Sequence, residues 1–308
     1  MQRPSSTSSK ALALLLALAA WGSPSRARAQ ACCAGGSAIT PGRLQLHEDA
    51  LVGAELKAGT VLGMYDPSGR FVGSPSGVTE GDFEEDLFGA VRVLRHGQVA
   101  LLVPVIETLR KDTLDPWRFG GGIGDVNLSG RYDFVGAGES RYVPGVALLA
   151  GLTFPTGKAP DSFATPAQVI DTTGVGVFQA NGAIAIEQTF GPWLVNATGL
   201  IAVRTARAGE QLAPQGTLLA ATAYTFPNDV ALALSASYAF EGNATFNDGT
   251  SPAATSKRLT VVTLSGFWPV TDTWRLLGGV YLDPPVDHLG SNQPAAGGLT
   301  FTVIRSWS

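Results

Sequence analysis

Gly120 to Phe134 reads G-G-G-I-G-D-V-N-L-S-G-R-Y-D-F, and this stretch decides the fold class. From Asp125 onward it alternates strictly. One face is formed by Val126, Leu128, Gly130, Tyr132 and Phe134, and the other by Asp125, Asn127, Ser129, Arg131 and Asp133. A period of two predicts a β-strand with two differently solvated faces. Such a strand fits a soluble sandwich, which hides its apolar face in a core, or a membrane barrel, which turns that face to lipid.

The composition favours the barrel. Only 15% of the 308 residues are charged, 45% are hydrophobic, 38 are glycine, and the formal net charge is −4. A soluble surface normally carries more charge than this. No run after residue 30 approaches the roughly 20 apolar residues of a membrane helix. Because a closed barrel pairs every backbone amide and has no edge, it is the expected solution for such a chain in lipid.

The N-terminus has the pattern of a targeting segment. Arg3 and Lys10 precede an apolar run from Ala11 to Trp21, and small residues suited to cleavage follow. We therefore predict a signal peptide over 1–31, a short periplasmic lead over 32–43 and a barrel over 44–308. Cys32 and Cys33 stand at the cleavage point. Lipidation of Cys32 and an unmodified cysteine pair both stay open, because Ala29 occupies the position where a lipobox has an aliphatic residue.

Strand counting predicts an all-β, antiparallel, up-and-down transmembrane barrel of about twelve strands. The alternating segments are 46–65, 82–95, 98–110, 123–135, 143–155, 173–189, 193–206, 215–226, 230–241, 258–268, 273–283 and 298–307. Short turns and longer loops alternate between them. Outer-membrane barrels have this asymmetry, with tight periplasmic turns and longer outside loops. An exported β-sandwich is the main alternative, although it gives no reason for loops to be sorted by length.

Aromatic residues cluster beside the predicted short turns and the C-terminus, which is typical of an interfacial girdle. They are Tyr132, Phe134, Phe190, Trp193, Tyr224, Phe226, Trp268, Trp274 and Trp307. The last strand presents Leu299, Phe301, Val303 and Trp307 on one face, interrupted by Arg305. It resembles the C-terminal signal of barrel-assembly substrates, so we expect that machinery as a partner, together with outer-membrane lipid.

Enzymatic, metal and nucleic-acid motifs fail on spacing. Gly120–Asp125 lacks the third glycine of a dinucleotide loop, and Gly151–Lys158 is one residue too long for a phosphate loop. The histidines His47, His96 and His288 are far apart, and no Lys/Arg cluster suits phosphate binding. We therefore predict no enzyme activity, no cofactor, no metal site and no nucleic-acid partner.

The polar face of the strands supplies the candidate site. We expect Asp125, Arg131 and Asp133 to form a constriction in the lumen, with Arg204, Arg258 and Arg275 as partners. Asn127 and Glu187 complete the set of candidate lumen residues. Acids and bases are mixed, so these charges either pair across the lumen and close it or line a path for solute.

Three motifs resemble the outer-membrane barrels named for the meta-pathway of phenol degradation. They are Gly121–Tyr132 (G-G-I-G-D-V-N-L-S-G-R-Y), Gly151–Lys158 (G-L-T-F-P-T-G-K) and Thr173–Gly176 (T-G-V-G). The resemblance covers roughly 44–308 and implies a passive transporter of small hydrophobic or aromatic solutes in the outer membrane of a Gram-negative bacterium. A closed structural or adhesion barrel, acting through loops 66–81, 156–172 and 242–257, is the alternative.

Overall fold

The computed structural model describes residues 42–112, 117–159, 172–207, 210–251 and 255–308. The predicted signal peptide and most of the lead lie outside these residues. Within the described ranges every regular element is a strand, and no helix is long and apolar enough to cross a membrane. In chain order the strands are β1 (Ala50–Tyr65), β2 (Phe71–Gly73), β3 (Thr79–Leu94), β4 (Gly97–Lys111), β5 (Arg118–Ile123), β6 (Val126–Val135), β7 (Gly145–Phe154), β8 (Gln179–Phe190), β9 (Trp193–Arg204), β10 (Glu210–Gln211), β11 (Gln215–Thr225), β12 (Ala231–Glu241), β13 (Thr245–Phe246), β14 (Lys257–Pro269), β15 (Trp274–Leu282), β16 (Gly290–Ser291) and β17 (Gln293–Trp307).

The long strands form a closed antiparallel ring. Its order is β12-β11-β9-β8-β7-β6-β4-β3-β1-β17-β15-β14, and β14 pairs with β12 to complete it. The first and last long strands also pair, over the register from Ala50 opposite Trp307 to Tyr65 opposite Gln293. The predicted twelve-stranded barrel is therefore confirmed. The short connections, the start of β1 and the end of β17 lie at one end of the barrel, called the short-turn end here. The opposite end is called the loop end.

The two faces of each strand differ in the predicted sense. In β6, Leu128 and Tyr132 are exposed on the outside, whereas Ser129 and Arg131 are buried toward the lumen. In β8, Ile184 is 55% exposed while its neighbour Ala185 is 1% exposed. The same parity runs through the ring, so an apolar outer wall surrounds a lumen lined by small and polar side chains.

Aromatic side chains form a belt on the outer wall at the short-turn end. Trp193 packs edge-on against Tyr224, which packs edge-on against Phe226, with ring centroids 5.0 and 4.9 Å apart. Arg305 also lies on the outer face, and its guanidinium stands over the rings of Trp274 and Trp307 at 5.5 and 5.0 Å. The cation that interrupts the last strand is thus covered by two indoles, which stabilises it at an apolar wall.

Three predicted strands begin four or more residues away from their observed first residue. β1 begins at Ala50 instead of 46, and β8 begins at Gln179 instead of 173. Residues 44–49 do not join the wall because they enter the lumen, where Leu44 and Glu48 are buried. Residues 173–178 lie at the loop end, where the Thr173 hydroxyl group bonds the Lys158 amide and the Ile123 carbonyl. The last strand is longer than predicted and begins at Gln293.

The glycine-rich stretch forms two strands with a break between them. β5 pairs with the loop-end half of β4, and β6 pairs with its short-turn half. At the break between β5 and β6, the Gly124 amide donates a hydrogen bond to the Pro104 carbonyl. Gly121 has φ +147°, and a Cβ there would lie 2.2 Å from the carbonyl oxygen of Ile106. The glycines therefore let the wall bend beside β4, where a side chain would strike the neighbouring backbone.

Two neighbouring connections pack together at the loop end. The buried Tyr65 donates its hydroxyl hydrogen to the carbonyl of Pro284, and Gly290 lies against its ring, where a Cβ would come within 2.2 Å. Asp66 accepts hydrogen bonds from Ser68 and from the Arg70 amide, and these bonds lower the pKa of its carboxyl group. The turn after β1 is thus held both internally and by the segment before β17.

Replacing Gly121 by alanine should destabilise the barrel by about 1–3 kcal/mol, since the new Cβ meets fixed backbone at a positive φ. Gly130→Ala is the matched control in the same stretch, because its nearest neighbour, the Gln98 carbonyl oxygen, would be 3.6 Å away. Equilibrium urea unfolding, followed by tryptophan fluorescence, measures both. Equal midpoints for the two variants would contradict the strain at Gly121.

Candidate functional site

The segment Gly42–Asp49, called the N-terminal segment here, lies inside the short-turn end of the barrel. Leu44 is buried in an apolar cluster whose other members come from the inner wall. Those members are Leu51, Phe88, Ala90, Ala100 and Ile304. The Leu44 amide donates to the Gln98 side chain at 2.9 Å, and the Gln98 amide donates to the Gly42 carbonyl at 3.0 Å. One inward glutamine therefore holds the segment by its backbone in two places.

Ion pairs fasten both ends of the N-terminal segment. Arg43 binds Glu187 and lies 3.2 Å from Asp133, at the β6–β8 wall. Glu48 binds Arg275 of β15 at 3.0 Å, and the two side chains are only 3% and 4% exposed. In the ring, β8 and β15 are separated by β9, β11, β12 and β14 on the shorter side. The segment therefore crosses the lumen between nearly opposite walls.

Arg92 ties the same segment to β3. Its guanidinium donates to the carbonyl oxygens of Glu48 and Gln45. These bonds satisfy backbone acceptors that have no strand partner in this irregular segment. Basic side chains of the wall thus bind the segment through its backbone as well as through Glu48.

Three of the predicted lumen residues meet in one network. Arg131 Nη2 lies 2.8 Å from Asp133 Oδ1 and 3.1 Å from Glu187 Oε1, and Asn196 donates to the same Glu187 oxygen at 3.1 Å. Arg131 and Glu187 are buried. With Arg43 from the N-terminal segment, two guanidinium groups face two carboxylates, so the network is electrically balanced. Charges buried in this way are stable only when paired and hydrogen-bonded.

Asp125 has a different role from the predicted constriction. Its carboxylate accepts backbone hydrogen bonds from Gly157 at 2.9 Å and from Val175 at 2.7 Å, at the two ends of the long loop after β7. The hydroxyl group of Thr173 donates to the Ile123 carbonyl, and the hydroxyl group of Thr156 donates to the Gly124 carbonyl. Asp125 therefore anchors this loop on the break between β5 and β6. Asn127 faces inward and donates to Thr153 at 3.0 Å.

The three predicted arginine partners lie apart from Arg131 and Asp133. Arg204, at the loop end of β9, binds Glu241 at 2.7 Å and also donates to Gln179 and Gln215. Arg275 binds Glu48. Arg258 is exposed and lies opposite Phe240 in the β12–β14 register, and it lines the loop-end cavity together with Arg204.

A charged cluster on β1 and β3 lies outside the predicted set of site residues, although the alternation places Glu84 and Asp86 on the polar face. Lys57 Nζ lies 2.8 Å from Asp86, 3.5 Å from Glu84 and 3.9 Å from Glu55. The signal was present, since Glu80, Asp82, Glu84 and Asp86 occupy every second position of one strand. The N-terminal segment, in contrast, carries no periodic pattern that would have revealed its position.

Cavities lie at both ends of the lumen. One of about 1080 Å³ opens at the short-turn end, where the N-terminal segment and Arg92, Arg95 and Asp133 line it. Another of about 680 Å³ lies at the loop end and is lined by Arg204, Lys257 and Leu212 among others. Across the described ranges, no three His, Cys, Asp or Glu side chains are grouped to hold a metal ion. The arrangement suits a water-filled passage with the N-terminal segment across one end.

No family model and no curated protein matches the chain. Among solved structures it is similar to the COG4313 outer membrane channel from Pseudomonas putida F1, with a TM-score of 0.67 and 15% identity over 85% of this chain and 98% of that one. The chain therefore has an outer-membrane β-barrel fold.

Two further matches are weaker. The translocator domain of the autotransporter NalP from Neisseria meningitidis has a TM-score of 0.45 and 10% identity over 97% of this chain and 98% of that one. The CymD monoaromatic hydrocarbon channel has a TM-score of 0.39 and 7% identity over 85% and 89%. At such scores these two carry no argument about function.

Removing the Glu48 carboxylate should release the N-terminal segment. In Glu48→Ala, Arg275 would be buried without its counter-ion in the docked state, which disfavours docking by about 3 kcal/mol, or roughly a hundredfold in the docked-to-undocked ratio. Tryptic cleavage after Arg43, followed by mass spectrometry, should accelerate. Asp49→Asn is the matched control, because the Asp49 side chain is 76% exposed and its carboxylate is as far as 3.9 Å from the Arg92 guanidinium, which makes a weak ion pair. Equal cleavage rates in wild type and Glu48→Ala would refute the anchoring role.

Proposed function

We propose that the protein is an outer-membrane channel that passes small hydrophobic or aromatic solutes passively. The observation that carries the proposal is a closed barrel with an apolar outer wall and a polar lumen that has a cavity at each end. Similarity to a COG4313 channel supports the channel role. The solute class rests on the sequence resemblance to the barrels of the phenol meta-pathway.

The outer wall supports insertion in a bilayer. Leu128, Leu232 and Ile201 are 38%, 48% and 65% exposed, and similar residues surround the whole ring. A continuous apolar surface of this kind is unfavourable in water and favourable in lipid. In this setting the short-turn end faces the periplasm, outer-membrane lipid is the immediate partner, and assembly machinery would recognise the last strand. Export by the predicted signal peptide is part of the same proposal.

An arginine on the outer wall tests the membrane placement. Leu234→Arg, on the outer face of β12, should destabilise the protein in vesicles by about 2 kcal/mol, because the cation enters hydrocarbon. Ser235→Arg is the control, since this neighbour faces a lumen lined by Ala221 and Thr263 and should cost under ~1 kcal/mol. Urea unfolding in lipid vesicles compares them. Similar losses for both variants would be incompatible with a lipid-facing Leu234.

The channel role is tested by single-channel conductance of the purified protein in planar bilayers, with solute uptake into proteoliposomes. We expect conductance that rises in Glu48→Ala, where the N-terminal segment is released, and uptake of phenol and toluene exceeding that of a disaccharide. Asp49→Asn again serves as the control. Absence of both conductance and uptake in wild type and in Glu48→Ala would refute the channel proposal.

One observation favours a second candidate. Because the N-terminal segment crosses the lumen and is held by buried ion pairs, the protein also fits a closed structural or adhesion barrel that acts through its outer loops. The conductance experiment separates the two candidates. A barrel that stays silent after release of the segment would favour the loop-based function.

A further inference from the structure

The inner face of β3 carries a ladder of carboxylates. Glu80, Asp82, Glu84 and Asp86 occupy alternate positions and therefore share the lumen side, roughly 7 Å apart along the strand. Glu55 of β1 lies directly opposite Asp86 in the register. These five acidic residues, called the acidic stripe here, extend from the loop end into the middle of the wall.

The stripe has too few cations to neutralise it. Lys57 lies within 4.0 Å of three of its carboxylates but carries one positive charge. Arg110 binds Glu80 at 2.5 Å. Five carboxylates thus face two cations. The undescribed residues after 42 cannot supply more, since 113–116, 160–171, 208–209 and 252–254 contain no lysine or arginine.

Elsewhere in the lumen, the ion pairs match carboxylates with guanidinium groups one to one. Arg43 and Arg131 face Asp133 and Glu187, Arg204 binds Glu241, and Arg275 binds Glu48. The wall formed by β1 and β3 differs from these pairs, because its five carboxylates face two cations. Like charges in a row repel each other, so the stripe lowers stability unless something else compensates for it.

Among the described residues, one carboxylate oxygen within the stripe has no hydrogen-bond donor. Asp86 has a side chain only 7% exposed, and its Oδ2 accepts from Lys57. Its Oδ1 is buried and has no hydrogen-bond partner in the described part of the chain. Buried carboxylate oxygens normally have a donor or a cation. Glu84 and Asp82, by contrast, keep much of their side chains open to the lumen.

We infer that the acidic stripe makes the channel select cations over anions, from inorganic cations to small protonated amines. The inference rests on the proposed channel function and adds a charge preference among those solutes that are ionised. A row of carboxylates beside a low-dielectric wall attracts and concentrates cations and repels anions. Lys57 holds the inner carboxylates together without cancelling their charge. A cation moves along the row by exchanging one carboxylate for the next.

Ion selectivity in planar bilayers tests the inference. Under a KCl gradient, the wild-type reversal potential should show potassium permeating in preference to chloride. Asp82→Asn with Glu84→Gln should lower the permeability ratio by about threefold or more, since two of the lumen-exposed charges are lost. Asp82→Asn alone gives a smaller shift and covers the case in which the double variant does not fold, which heat-modifiable migration on a gel reports.

The matched control removes acids from the same two strands on the other face. Glu85 and Glu107 are exposed on the outer wall, next to Leu56 and Phe83 in the register. Glu85→Gln with Glu107→Gln should leave the permeability ratio unchanged. An equal shift in this control would overturn the inference, because selectivity would then follow total charge instead of the stripe.

Organic solutes of matched size extend the test. Proteoliposomes should take up benzylamine faster than benzoate, and the Asp82→Asn, Glu84→Gln variant should reduce this difference. A conducting wild type with no preference for cations, or a double variant with unchanged preference, would overturn the inference while leaving the channel function intact. Absence of conductance in both wild type and Glu48→Ala would refute the channel function itself.

Discussion

Closure of the hydrogen-bond ladder is the constraint on which the rest of the structure depends. Because β12 pairs with β14 and β1 pairs with β17, every long strand has a neighbour on each side and no strand edge is left. Closure separates one face of each strand from the surroundings, so polar and charged residues can accumulate there. It also allows the other face to be apolar without a core beneath it.

The lumen is organised by charges of two kinds. At the short-turn end, carboxylates and guanidinium groups pair almost completely, and they hold the N-terminal segment across the passage. Along β1 and β3, carboxylates outnumber cations and remain partly open to the lumen. The first group holds the N-terminal segment in place, and the second produces a negative electrostatic potential in the lumen. The same residue types therefore serve two purposes, according to how many counter-ions the neighbouring strands supply.

Much of the fold could be predicted from the sequence because a barrel strand repeats every two residues. The alternation from Val126 to Phe134 predicts the inner and outer faces of β6, and in the structure Arg131, Asp133 and Glu187 lie on the inner wall. The two-residue period gives no information about residues that do not pair with a neighbouring strand. Gly42–Asp49 has no ladder, so nothing in its pattern indicated that Leu44 enters the barrel.

The candidate site was less predictable, since it depends on contacts between distant residues. Asp125 has the right parity for a lumen residue, but its partners are the amides of Gly157 and Val175, which only the folded loop brings near. Arg258 stands near the start of its strand beside a second basic residue, so charge alone does not determine its face. The register sets it beside the exposed Phe240, and it also lines the loop-end cavity.

The ion pair between Glu48 and Arg275 joins residues 227 positions apart in the chain. The pair needs both the N-terminal segment and β15 in their final places, whatever the order in which the strands assemble. Ordering so long a piece of intervening chain costs entropy, so the contact depends on the ring that holds its two ends together. A barrel in which β15 is missing or slipped by one residue would therefore leave the N-terminal segment without this anchor.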